Sequence, residues 1–131
     1  MVVISASGKL SLMRRQTLKT RPMYAFQAGP FLIRGSWLYR RQTQKAERRT
    51  VLAMTKRGDV LVLSASDVTL TTLAKILKTT GDALSDSAIT VALNLDGGSS
   101  TAMTLRVPKK RSIVVPEVFP VRSALLFFSK V

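Results

Sequence analysis

The chain has 131 residues, a length that suits one hydrophobic core and leaves little room for a second. With no cysteine and no histidine it can build neither a disulfide framework nor a thiolate or imidazole zinc site, and the commonest general base is missing. Twenty-one Lys and Arg against seven acids give a formal charge of +14, which attracts polyanions such as nucleic acid, anionic lipid or phosphorylated glycan without choosing among them.

In chain order, "VVISASGKLSLM" reads as two short strands around Ser7-Gly8. The polar stretch 14–22 ends in Pro22 and reads as a connection. A strand is expected over 23–28, a break at Gly29-Pro30, and a second strand over 31–34. Trp37 and Tyr39 follow, either stacking on a sugar or sealing a sheet edge, and 40–48 reads as an exposed loop. "RTVLAMTKRGDVLVLSAS" has apolar runs on both sides of Lys56-Arg57-Gly58-Asp59, the strongest hairpin pattern in the chain.

The one clear helix comes next, because Leu70, Leu73, Ala74 and Leu77 recur at helical spacing. Asp67 and Thr69 are candidate N-caps, and Gly81 is expected just past the C-terminus. Polar residues 82–87 lead into "AITVALNL", β-branched enough for a central strand. A loop at 96–101, a strand in "AMTLRV", a charged turn in "PKKR" and a final strand over 123–129 complete the reading. Many short strands with one helix predict an α+β fold, a largely antiparallel or mixed sheet with the helix packed on one face.

The basic residues fall in pairs and triplets: Arg14-Arg15, Arg40-Arg41, Arg48-Arg49 and Lys109-Lys110-Arg111. No aromatic residues interleave with them as a base-stacking platform requires, so a solvated basic surface is preferred to a nucleic-acid site. No apolar run approaches the length that spans a bilayer, and the first residues are interrupted too early for the apolar centre of a signal peptide.

"ALNLDGGSSTAM" is the stretch that carries chemistry. Asp96 ends an apolar run, Gly97 and Gly98 can adopt backbone angles closed to other residues, and Ser99, Ser100 and Thr101 add hydroxyl donors. Successive N–H groups in such a turn can converge on an anion. A tight turn with a locally bonded Asp would use the same residues.

"NLDGGSSTAM", preceded by "AITVA", resembles the signature of the phosphodiester glycosidase family, which includes the enzyme that uncovers mannose 6-phosphate by removing N-acetylglucosamine. "AFQAGPFLIRGS", "RRTVLAMTKRGDVLVL", "TLTTLAKILKTTG" and "VFPVRSALLFFSK" are similar to further family segments in the same order, so the resemblance covers 1–131 as a single domain. It implies hydrolysis of the bond between a sugar's anomeric carbon and a phosphodiester. By position, Asp96 is then the acidic active-site residue and Arg49 the partner of phosphate or of that carboxylate. Gly97, Gly98 and Ser99 form the cradle, with Ser100 and Thr101 at its edge. Gln27 faces the same pocket or satisfies a strand end, and Asn94 is a neighbour or a structural cap.

Family members carry an earlier Asn-Gly-Gly-aromatic motif that this chain lacks, so the resemblance implies a domain shortened on its N-terminal side. Glycoside cleavage ordinarily uses two carboxyl groups; Glu117 and Asp67 are the second candidates by elimination. Three readings stay open: an active enzyme completed by another chain or a homo-oligomer, a relative that binds without turnover, and a basic polyanion-binding module. No cofactor is called for, and neither is a metal, since the seven acids form no cluster in sequence. The resemblance implies a phosphorylated glycan as substrate, with nucleic acid less favoured, and an exported or envelope-associated setting.

Overall fold

The structure, a computed structural model, describes residues 1–41, 45–121 and 124–128. Its strands are β1 (Val2–Ile4), β2 (Leu10–Leu12), β3 (Tyr24–Phe26), β4 (Phe31–Arg34), β5 (Trp37–Leu38), β6 (Glu47–Thr55), β7 (Val60–Val68), β8 (Ile89–Gly97), β9 (Met103–Leu105) and β10 (Ile113–Val115); the helix α1 spans Leu70–Ser85. All strand pairs among the described residues are antiparallel, and the fold is α+β.

Five strands form the main sheet in the order β5-β4-β8-β6-β7, which puts the β-branched run of β8 at its centre. One face carries α1. Its buried residues Leu70, Leu73, Ala74, Leu77 and Gly81 make a single stripe, packed on β4 and β8 in a core with Ile33, Val51, Ala53 and Ala92. The opposite face is covered by the small β2-β1-β3 sheet, where Val2 meets Leu52 and Leu93. Leu52 and Leu93 are fully buried, and each such side chain contributes roughly 1.5–3 kcal/mol by leaving water. The molecule is thus layered as helix, sheet and smaller sheet. No helix among the described residues is long and apolar enough to cross a membrane.

Several local expectations need correction. Thr69 is the N-cap of α1, its hydroxyl accepting from the Thr72 N–H at 3.1 Å, while Asp67 lies in β7 with φ 51°. Gly81 does not end the helix; it lies inside it, close against Ile89, and the chain leaves the helix at Asp86, whose φ is 51°. The expected loop 40–48 is shorter, because β6 already begins at Glu47; residues 42–44 lie outside the described ones. Of the expected final strand, 123 and 129 lie outside the described residues, and 124–128 form no strand among the described ones. The charged turn "PKKR" instead joins β9 to β10, a strand that the sequence reading passed over.

Candidate active site

The glycine loop closes the end of β8, and β6 lies beside it. Along this pair the register passes from Val51 opposite Asn94 to Arg49 opposite Gly97, so Leu95 and Asp96 together stand opposite Thr50. This is a β-bulge, which bends a strand and re-aims its side chains. The other side of β6 bears a second one: Glu47 faces Val68 and Arg49 faces Ala65, leaving Ser66 and Asp67 opposite Arg48. Two bulges, each carrying an Asp, therefore flank residues 48–50 at one end of the sheet.

Arg49 sits between them with its side chain only 12% exposed. Its Nε donates to the Val68 carbonyl at 3.4 Å and an Nη donates to the Lys45 carbonyl at 2.9 Å. The other Nη lies 3.4 Å from Glu47 Oε2. The guanidinium also passes directly beneath Gly97, where an added Cβ would be 3.6 Å from it. Glu47 lies under the next glycine, 3.7 Å from where a Cβ on Gly98 would stand. Among the described residues Arg49 thus pairs with Glu47, and no ion pair joins it to Asp96.

Asp96 is exposed, and its Oδ1 accepts from the N–H of Gly97 at 2.9 Å. After it, Gly98–Ser100 form a single 3₁₀ turn, begun by Gly98 at φ 62° and followed by a bond from the Thr101 N–H to the Gly98 carbonyl at 3.3 Å. The N–H groups of Gly98 and Ser99 open this turn and have no acceptor within it. Ser99 and Ser100 are half-buried beside them.

Two buried side chains flank the loop with a polar atom unsatisfied. Asn94 donates from its amide to the carbonyls of Gly29 and Leu95, at 3.3 and 2.6 Å, but its Oδ1 has no partner. Thr101 is fully buried, and its Oγ1 also has none. Such atoms cost about 1–3 kcal/mol unless something bonds them, and here both border the same loop.

Arg48 performs a different task. One of its Nη atoms donates to the Thr101 carbonyl at 2.7 Å and to the Pro116 carbonyl at 2.5 Å. The Ser99 carbonyl accepts from the N–H groups of Val118 and Phe119, at 2.9 and 3.4 Å. The segment 116–119 is therefore tied across the loop, which carries the exposed Glu117 to this end of the sheet. Four of the seven acids, Glu47, Asp67, Asp96 and Glu117, gather around this end of a strongly basic chain. They are not close enough to form a group of three that could hold a metal ion.

The remaining candidates lie further off. Gln27 is exposed and lines a separate concavity of about 100 Å³ with Met1, Arg15 and Ala28; no hydrogen bond links it to the glycine loop among the described residues. Trp37, on the outer strand level with Val91, meets the buried core residue Tyr39 edge to face at 6.3 Å, well back from Gly97. Glu47 and Arg48 join the site without having been marked out by the sequence. The signal was the i, i+2 spacing of Glu47 and Arg49, which in a strand puts both side chains on one face.

The family model for phosphodiester glycosidases matches residues 2–128. No curated protein and no solved structure gives a match. A match over nearly the whole chain, with the glycine loop and the Arg49 strand inside it, settles the kinship: the chain belongs to the phosphodiester glycosidase family.

Proposed function

We propose that this chain hydrolyses the bond between a sugar's anomeric carbon and a phosphodiester, in exopolysaccharide or cell-envelope glycan metabolism, with the reacting groups at the end of β8. The observation that carries the reading is the bulge-flanked Arg49, held by Glu47 directly beneath Gly97, the residue that follows the exposed Asp96. In the reaction, a water oxygen forms the new bond to the anomeric carbon. The bond from that carbon to the phosphodiester oxygen breaks, and its electron pair leaves with the phosphate.

A phosphate monoester has its second pKa at about 6, so it can depart as an anion without a proton from a strong acid. The site must then do two things: accept the proton of the attacking water, and favour negative charge on the departing phosphate. Asp96 is the base in this reading. The Arg49 fork, which has more donors than its three protein contacts use, together with the N–H groups of Gly98 and Ser99, supplies the positive potential. Ser100 edges the sugar side, and Thr101 and Asn94, buried with an unsatisfied Oγ1 and Oδ1, support the loop from within.

Release of free sugar from a sugar-1-phosphodiester tests this, with Asp96→Asn as the comparison. The expected loss is roughly 10²–10⁴-fold, the range of a general base. Equal rates for the two proteins would remove the reading. One observation favours a second account: the Asp96 carboxylate is exposed and occupied by its own neighbour's N–H. The chain would then bind a phosphorylated glycan without turning it over, and affinity that survives in Asp96→Asn without any sugar release would select that account.

A further inference from the structure

The β9–β10 hairpin serves neither the core nor the glycine loop, and its two faces differ in kind. Leu105 pairs with Ile113 and Met103 with Val115, so these four side chains share one face, while Thr104 and Val114 share the other. The four-residue face is wholly apolar. It is half-buried at its base, where Met103 and Val115 stand, and opens outward until Leu105 and Ile113 are 50% and 56% exposed.

Beyond that open end the charge pattern changes at once. Arg106, Lys109, Lys110 and Arg111 are all exposed, and the turn between the strands is closed by the Lys110 N–H on the Val107 carbonyl at 3.1 Å, with Lys109 at φ 60°. No acid occurs between Asp96 and Glu117. The hairpin thus presents cations at its tip and bare apolar side chains just behind them. Val118 and Phe119, which follow β10, are exposed as well, at 63% and 64%.

We propose that this hairpin docks the protein on an anionic lipid surface, tip first, with Lys109, Lys110 and Arg111 among the headgroups and Leu105 and Ile113 in the acyl boundary. Charge complementarity selects this occupant: basic residues are drawn to anionic headgroups, and apolar side chains beside them gain only where a nonpolar phase lies directly beneath the charge. A nucleic acid would meet the cations but gives Leu105 and Ile113 nothing to enter, and the tip has no aromatic ring for a base to stack on. A second copy of the chain would bring an equal +14 against the same cations.

Sedimentation with vesicles of phosphatidylglycerol and phosphatidylcholine in equal parts, against phosphatidylcholine alone, tests the proposal. The wild-type chain is expected on the anionic vesicles only. Lys109→Ser/Lys110→Ser/Arg111→Ser should weaken that partition roughly a hundredfold, at about fivefold per charge removed. Leu105→Ser/Ile113→Ser should weaken it about tenfold with the charge unchanged. If that double variant does not keep its circular dichroism, Leu105→Ser alone takes its place. A third protein, Arg14→Ser/Lys75→Ser/Lys78→Ser, removes three exposed charges elsewhere and should lose far less.

Equal losses in the two triple variants would overturn the proposal in favour of diffuse charge. Undiminished vesicle binding by the apolar variant would also overturn it, leaving a polyanion contact of the kind nucleic acid makes. So would a wild-type dimer, broken by the apolar variant, that ignores both kinds of vesicle.

Discussion

At Gly97 an added methyl would stand 3.0 Å from the Arg48 carbonyl oxygen, a backbone atom of β6 that cannot swing aside, and 3.6 Å from the Arg49 guanidinium. Gly97→Ala should therefore push β8 and β6 apart where the bulge aligns them. A loss of about 1–3 kcal/mol is expected in urea unfolding, together with loss of any sugar release. Glu47→Gln asks a finer question. Its carboxylate is 35% exposed, so the pair with Arg49 should contribute under about 1 kcal/mol to stability. If Glu47 aims the guanidinium, sugar release should fall at least tenfold while the urea midpoint hardly moves; unchanged release would show that the Val68 and Lys45 carbonyls aim it alone. Asp96 and the two glycines were legible in the sequence as candidates because an acid directly before two glycines stands out, whereas Arg49, one base among twenty-one, was named only through the family resemblance. Glu47 was not legible, because a polar run rich in Gln, Lys and Arg conceals where a strand begins.

Among the elements, α1 was legible from its stripe and misread at its end. Glycine inside a helix costs about 1 kcal/mol relative to alanine, so a stop at Gly81 was the natural expectation. Packing supplies the reason it lies inside: a Cβ there would come 3.2 Å from Ile89 Cγ1 and 3.3 Å from the Ile89 backbone nitrogen. Gly81→Ala should consequently lower stability by about 1 kcal/mol despite the better helix former, because β8 is fixed on both sides and cannot retreat. A gain in melting temperature would show that α1 can shift instead. β10 escaped notice for another reason. "SIVV" follows a charged turn with no alternation to mark an inner face, and its only described ladder partner is β9. The apolar run 124–128 has the reverse character, strand-like composition without a ladder among the described residues.

Across the whole molecule, the α+β class and the central place of β8 followed from composition and order, since the densest β-branched run needs cover on both faces. The smaller sheet that supplies the second cover could not be foreseen, because β1, β2 and β3 are each three residues long and gain meaning only from Val2 meeting Leu52 and Leu93. Arg48 is the one side chain whose effect is felt at this scale. Removing it in Arg48→Ala should free the segment 116–119, with amide exchange rising at Val118 and Phe119 and little change in α1; uniform protection would mean that the Ser99 carbonyl suffices. Because one nitrogen grips the chain at both 101 and 116, the stretch between them is a limb clasped at its root, and the residue next to the clasp is Arg49. A tug on the limb's far end is therefore applied one peptide unit from the Arg49 guanidinium.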